Sequence, residues 1–393
     1  MSSTQRPPPA EGKAPLAGRP PQEGQKPPQV VGVEVERKRL TVSDVPELAD
    51  FGLAELPLRP SHARVELKGV ATAYVNALRR TLMDEMPGHY LRVPPLTGPG
   101  QPGEAMPGFD TGRTTEEYML PQFVAQRIGL IPLRPQLSKG DLALVLRFDA
   151  VNTGAAPITV YSGDLVPESG TLPDPPLFNP TFEIATVQPG KALHVGGIHI
   201  ATGVGRDNAA ACNACRASFA HLDVPQYADA EIRDEKGAAA DLSGYKVSSM
   251  VADPRHHVLS AWFAATTPDP AGVRAVLADA CANLATRLRL CEAALRGGEG
   301  AHGSQYSTAP QGNGLTEGVL VVQGETMSVG EVLRRTVVDR EPDISYIACT
   351  VSQDRGLRVV ARFAGDVTAV LLDAARVAIQ TFNDIQRGIS DAA

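Results

Sequence analysis

Apolar positions along the chain follow two rhythms, and one passage that alternates first and then steps by threes and fours occurs twice. Residues 63–87 read ARVELKGVATAYVNALRRTLMDEMP, and residues 319–342 read VLVVQGETMSVGEVLRRTVVDREP. Laid together without a gap, Gly69 falls on Gly324, Leu78-Arg79-Arg80-Thr81 on Leu333-Arg334-Arg335-Thr336, Asp84 on Asp339 and Pro87 on Pro342. Apolar character coincides where identity fails, as at Leu67 and Val322, Leu82 and Val337, and Met83 and Val338. Two copies so far apart are no solenoid; they imply two related modules in one chain.

Each copy has the same physical grammar. Alternating Val65 and Leu67, or Leu320 and Val322, predict a short strand, and the glycine after it supplies a turn that other residues resist. Thr72 or Ser328 then stands where an N-cap is expected. Val75, Leu78 and Leu82 share one helical face, as do Val329, Val332, Leu333 and Val337 in the second copy. Proline ends each helix. A single such copy reads as an ordinary amphipathic helix with solvated arginines; two in register ask for more.

Residues 1–30 hold eight prolines and almost no large apolar side chains, so they are expected to form a disordered tail that buries too little to offset its ordering entropy. Residues 31–36 read as a strand, and a short helix is expected near 45–48. A Gly/Pro-rich loop leads to a helix at 122–128 broken at Gly129. Strands are predicted at 142–148, 158–161, 182–187 and 192–200, within an inserted β-rich domain of residues 90–250. Asp269-Pro270 opens a long helix to Arg296, with Val273, Leu277, Ala280, Leu284, Leu288, Cys291 and Leu295 on one side. Residues 297–314 read as a flexible linker of roughly 20–25 Å reach. A module of residues 315–393 follows, with strands at 346–352 and 357–363 and a final helix presenting Val370, Ala374, Val377, Thr381 and Ile385.

Composition narrows the classes. The chain has 393 residues, 43% hydrophobic and 21% charged, the values of a globular protein of two or three domains. A formal net charge of −7 argues against a chain that grips nucleic acid by itself. Five cysteines, an odd number without a signal peptide, point to a reducing, intracellular setting. No apolar run approaches the ~20 residues that span a bilayer.

The strand, glycine and helix with Asn76-Ala77-Leu78-Arg79-Arg80-Thr81-Leu82 resemble the opening of the alpha-like subunits of multisubunit DNA-dependent RNA polymerases. A second signature of that family resembles Pro121-Gln122-Phe123-Val124-Ala125-Gln126-Arg127-Ile128-Gly129-Leu130-Ile131-Pro132-Leu133, with Pro121, Gln122 and Gln126 replacing an acidic pair and a histidine. Residues 159–165 and 201–211 resemble further pieces, the latter with Asn208 and Ala210 where histidine and lysine are usual. The second copy resembles the small partner subunit, called L in archaea, and the first the D-like subunit. A chain joining the two resembles the fused subunits of large DNA viruses. The resemblance implies an α+β fold of two alpha-like dimerisation modules, each of strands and two long helices, forming an intramolecular pseudo-dimer. The D-like module would comprise residues 31–89 and 251–296, the insertion 90–250, and the L-like module 315–393. It further implies a non-catalytic structural subunit on which the two largest catalytic subunits dock. Leu78, Leu82, Leu333 and Val337 would form the pseudo-dimer interface. Arg79, Arg80, Arg127, Gly129 and Leu130 would meet the second-largest subunit, Arg334 and Arg335 the largest, with small polymerase subunits as further partners. DNA and RNA would be met only through the complex, and no membrane.

No catalytic constellation, cofactor site or metal site is expected. Glu116-Glu117 lie in a loop, and no Asp-rich magnesium motif is present. Cys212-x-x-Cys215 offers two of the four ligands that tetrahedral zinc needs; Cys281, Cys291 and Cys349 read as small core residues, and His256-His257 has no matching spacing. ATGVGRDNAAA at 201–211 mimics a phosphate-binding loop, but no helix with lysine follows. A stand-alone enzyme or nucleotide-binding protein built on the β-rich middle remains as the alternative reading.

Overall fold

A computed structural model describes residues 28–37, 61–94, 113–115, 120–134, 137–174, 176–212, 214, 216–222, 255–263, 270–297, 303–311, 313–352 and 356–392. Most of the Pro-rich tail, the expected helix near 45–48, Glu116-Glu117 and Cys215 lie outside them. The described fold is mixed α and β, with several antiparallel sheets.

The first module begins with strands β1 (Gln29–Arg37) and β2 (Ser61–Lys68), followed by helix α1 (Thr72–Arg80). Ala63, Val65 and Leu67 alternate inward along β2 and are buried, the signature of a strand with one covered face. Gly69 (φ 77°) makes the turn into α1. The expected Thr72 cap is not used: Ala71 is the N-cap and has no side-chain bond, and Thr72 is the first helical residue. The helix then widens into a π-turn at Thr81–Glu85, closed by Met86 N donating to Thr81 O at 3.2 Å.

The chain next enters the β-rich region through β3 (Pro87–Arg92), α2 (Pro121–Gly129) and a short helix α3 (Lys139–Leu142). Strands β4 (Val145–Val151), β5 (Ile158–Tyr161), β6 (Val166–Ser169), β7 (Glu183–Val187) and β8 (Ala192–Val204) follow. Four of them make a sheet of order β3-β8-β4-β6, and β5 pairs with β7. Val124 and Ile128 of α2 pack with Leu91, Leu146, Phe148 and Ile198 in one core. β8 runs past its expected end, because residues 201–204 pair with residues 87–90 of β3.

The module closes with β9 (Arg216–His221), β10 (His256–Phe263) and α4 (Pro270–Leu295). Its sheet has the order β1-β2-β10-β9. All seven apolar residues expected on the inner side of α4 are buried.

After α4 come β11 (Gln305–Pro310), β12 (Thr316–Val322), α5 (Met327–Arg340), β13 (Tyr346–Ser352), β14 (Gly356–Phe363) and α6 (Val367–Asp391). The sheet order is β11-β12-β14-β13, the order of the first module's sheet, with the elements in the same succession. The span expected to be a linker therefore contains a strand: residues 305–310 pair with 316–321 of β12. The cap of α5 is Thr326, whose side chain accepts from Ser328 N, so Ser328 is not the cap. The inner stripe of α6 also lies beside the expected one. Val367, Leu371, Ala374, Ala378, Phe382, Ile385 and Ile389 are buried, whereas Val370, Val377 and Thr381 are half-buried.

Compactness divides the described residues into one unit within Leu288–Ala378 and another within Pro28–Arg287 and Ile379–Ala393. The division falls inside α4 and inside α6. In the unit that holds α1, Phe382 of α6 meets Tyr74 of α1 with ring centroids 5.2 Å apart, and Gly388 stands against Val30 of β1. In the other, Arg376 of α6 donates to Glu292 of α4 at 3.2 Å, and Gly330 lets α5 approach Leu357 and Cys349 closely.

The π-turn leaves carbonyls without helical partners, and the chain after β8 takes them. Arg206 N donates to Asp84 O (3.0 Å) and Ala214 N to Leu82 O (3.2 Å). Gly205 makes this approach feasible: a Cβ there would stand 2.5 Å from Met83 O and 2.8 Å from Asp84 Cα. Gly205→Ala should therefore destabilise the chain by about 1–3 kcal/mol, read as a lowered denaturation midpoint. An unchanged midpoint would mean that the clasp is loose enough to absorb a methyl group.

Candidate protein-interaction site

Leu-Arg-Arg-Thr occurs at the end of α1 and within α5, and the two copies are held differently. Leu78 and Leu82 are buried in the first, Leu333 and Val337 in the second. α1 lies against β9 and β10, and α5 against β13 and β14. In the second copy the helix is regular: Thr336 donates to Val332 O at 2.7 Å, Arg335 pairs with Asp339 at 2.7 Å, and Arg334 with Glu331 at 2.9 Å. In the first copy the π-turn shifts the partners by one residue. Arg80 meets Glu85 at 3.1 Å, not Asp84, and Arg287 of α4 meets the same carboxylate at 2.9 Å. The Glu85 side chain is only 2% exposed, so its charge needs these two guanidinium groups. The Thr81 hydroxyl, by contrast, is buried without a hydrogen-bond partner.

Arg79 differs from its neighbours. Its Nε donates to Asn76 Oδ1 at 3.0 Å, and one terminal nitrogen lies 3.8 Å from Met83 Sδ; neither partner is charged. Of the five arginines proposed from the sequence, four are within 3.4 Å of a carboxylate: Arg80, Arg127 (Glu183), Arg334 and Arg335. The Arg127–Glu183 pair is solvent-exposed on both sides and holds its geometry weakly. Gly129 is buried beneath β3, its missing side chain facing Leu91 O, whereas Leu130 is 47% exposed. Leu120 and Phe123 are exposed on the same helix; the apolar stripe of α2 does not separate these outward residues from the inward Val124 and Ile128.

The aspartates of the two copies also part ways. Asp339 is paired; Asp84 has one oxygen buried without a hydrogen-bond partner. Burial first, and then the neighbouring Glu85 carboxylate, push its pKa above the usual carboxylate value, against the pull of Arg80, Arg79 and Arg206. Sequence reasoning missed both this strain and the Arg80–Glu85–Arg287 cluster. The one available signal was that Glu85 has no acidic counterpart, since Arg340 stands at its place in the second copy.

Other candidate chemistry resolves into structure. Gly203 and Gly205 accommodate Tyr90 and the π-turn, which accounts for the Gly-x-Gly spacing without a phosphate. The Cys212 thiol is pushed up by desolvation and then by the Asp84 carboxylate, the opposite of an activated thiolate. Cys281 and Cys291 are buried, and Cys349 Sγ donates to Gly330 O at 3.1 Å. His257 is buried, its Nε2 2.9 Å from Val70 O and its Nδ1 3.0 Å from His221 Nδ1; His256 reaches Glu66 at 2.8 Å. Among the described residues no three His, Cys, Asp or Glu side chains are grouped to hold a metal ion, and no helix is long and apolar enough to cross a membrane.

A raised carboxylate pKa disfavours the folded state once the group ionises. Its relative benefit is complete below the unfolded value of about 4 and is lost as pH rises through the folded one. Asp84→Asn should thus raise the melting temperature at pH 7, with the gain shrinking as pH falls through the raised folded value and essentially gone below about 4. A lower melting temperature at pH 7 would show that attraction from Arg79 and Arg206 outweighs burial.

Comparison with known proteins places this geometry in a family. No protein-family model matches the chain. It is similar to a DNA-directed RNA polymerase RPB3-11 homolog of African swine fever virus (strain Badajoz 1971 Vero-adapted), with 31% identity over 344 residues, 86% of this chain and 90% of the relative. The homologs of isolates Warthog/Namibia/Wart80/1980 and Pig/Kenya/KEN-50/1950 match to the same extent. That identity covers most of this chain and nearly the whole relative, so the chain belongs to the family of RPB3-11 homologs of DNA-directed RNA polymerase.

Proposed function

We propose that this chain is the non-catalytic assembly subunit of a DNA-directed RNA polymerase, and that it carries in one polypeptide what would otherwise be a D-like and an L-like subunit. The observation that carries this reading is the recurrence of one element succession and one sheet order, β1-β2-β10-β9 and β11-β12-β14-β13, with the β-rich stretch from β3 to β8 standing between α1 and β9 and no counterpart between α5 and β13. Each module ends in a long helix, and each compact unit takes in the end of the helix that begins in the other. Helices shared in this way support an intramolecular pseudo-dimer, whose interface Leu78, Leu82, Leu333 and Val337 would form. Joining the modules in one chain raises the effective concentration of one for the other to the order of millimolar, so a heterodimer elsewhere becomes one folded protein here.

The largest and second-largest subunits would dock on the two modules, with small subunits as further partners and nucleic acid held only through the complex. The viral source of the relatives fits a polymerase that works where the virus transcribes. Among the described residues nothing favours the stand-alone enzyme or nucleotide-binding reading: Gly203 and Gly205 accommodate Tyr90 and the π-turn, and the Cys212 thiol is pushed up rather than activated.

In the D-like module, Arg79 is the residue best suited to the second-largest subunit. It lacks a carboxylate among the described residues, and a guanidinium pairs in bidentate fashion with one supplied by a partner. Arg80 and Arg127 would frame it, with Gly129 shaping the turn and Leu130 adding apolar contact; Arg334 and Arg335 would act likewise toward the largest subunit. Arg79→Ala should leave the isolated chain's unfolding free energy within about 0.5 kcal/mol of wild type while weakening capture of the second-largest subunit by about 1.5–3 kcal/mol. Arg80→Ala, which strips a buried carboxylate of one partner, should lower stability as well. Unchanged capture by the Arg79→Ala chain at physiological salt would remove this face from the interface.

A further inference from the structure

The second module's sheet ends on β13, and this edge lacks the usual protection against strand addition. Its seven residues, Tyr-Ile-Ala-Cys-Thr-Val-Ser, contain no charge and no proline, and its pairing with β14 has no bulge. Natural edge strands are normally blunted by one of those devices or by being short. Elsewhere in the chain they are. β1 has a bulge between Val30 and Gly32 and carries Glu34, Glu36 and Arg37. β3 starts on Pro87, β6 has four residues including Pro167 and Glu168, and β11 is polar and ends on Pro310. β9, which holds the position of β13 in the first module, carries Arg216 and His221 and is entered through the segment clasped to the π-turn.

Beyond the β14 ladder, residues 346–351 make one hydrogen bond among the described residues, Cys349 Sγ to Gly330 O. Alternate amides and carbonyls along the outer edge therefore have no partner among the described residues. Tyr346 and Val351 are 46% and 49% exposed, large apolar surface at both ends of that edge. Behind it, Arg358 pairs across the ladder with Thr350. Arg358 is exposed and meets no carboxylate among the described residues, whereas Arg362 is held by Glu317 at 2.6 Å and lies over the Tyr346 ring.

We infer that β13 is a strand-addition site, and that it takes an extended segment of another polymerase subunit with small or β-branched residues in alternation and a glutamate or aspartate beside Thr350. Main-chain bonds would supply affinity, and the side chains would set register. The added carboxylate lies two strand spacings, about 10 Å, from the Arg358 backbone, a gap that two long side chains close over the small Thr350. A second copy of this chain fits less well, because β13 offers no carboxylate to Arg358. This inference rests on the assembly role proposed above.

Hydrogen exchange of the full chain, free and in the assembled polymerase, tests it. The outward amides of residues 346–351 should exchange freely in the isolated chain and slow by on the order of tenfold or more in the complex. Thr350→Glu, which can pair with Arg358 across the ladder and repels the incoming carboxylate, should keep the wild-type melting temperature yet weaken capture of the polymerase by on the order of tenfold. Equal exchange in the two states overturns the inference. So does protection that appears in the free chain with rising concentration, which would assign the edge to a second copy. A chain that fails to enter the polymerase at all overturns the assembly role together with the inference; one that enters with β13 unprotected overturns the inference alone.

Discussion

The structure depends on covering the apolar stripes of α4 and α6. A helix of 25 residues, the length of α6, is about 37 Å long. A four-stranded sheet spans only three strand spacings, about 14 Å between its outer strands, and strands of eight residues reach about 26 Å. Either helix therefore carries its buried stripe past what one such sheet can cover. α6 is buried from Val367 to Ile389, and α4 from Val273 to Leu295. Each compact unit accordingly includes the end of a helix that starts in the other. Apolar burial at ~25 cal/mol per Å² thus acts along the whole length of both helices.

Within that frame, near-identical sequence is put to different uses. Leu-Arg-Arg-Thr ends in a π-turn in the first module and runs through a regular helix in the second. The physical reason lies in what surrounds each copy. Glu85 is drawn between Arg80 and Arg287, and the carbonyls of Leu82 and Asp84 are taken by the chain between β8 and β9. The second module has no insertion, so its helix satisfies itself and its arginines pair at i+4 and i−3. One consequence is an unneutralised Arg79 in one module; the other is an open sheet edge in the second, where no inserted segment follows the helix.

Much of this was legible in the sequence because burial periodicity writes directly into residue order. The repeat, the inward faces of α1, α4 and α5, and the strands at 158–161, 346–352 and 357–363 all follow from it. Local chemistry was less legible. Thr72 and Ser328 looked like caps, yet the strand-to-helix turn starts each helix earlier than its hydroxyl residue implies. Residues 305–310 resembled linker because Gln, Ser, Thr and Ala carry no apolar alternation; they form a strand because β12 offers an open ladder. Which arginine is left without a carboxylate could not be read from Leu-Arg-Arg-Thr, since it depends on a one-residue shift within a π-turn and on Arg287, some two hundred positions away in the chain.

The central claim is that one copy of this chain replaces a two-subunit platform. Native mass spectrometry of the purified polymerase tests it most directly. The account predicts a complex with a single copy of this chain beside one copy of each of the two largest subunits. Two copies of the chain in the complex, or a complete polymerase without it, would contradict the account.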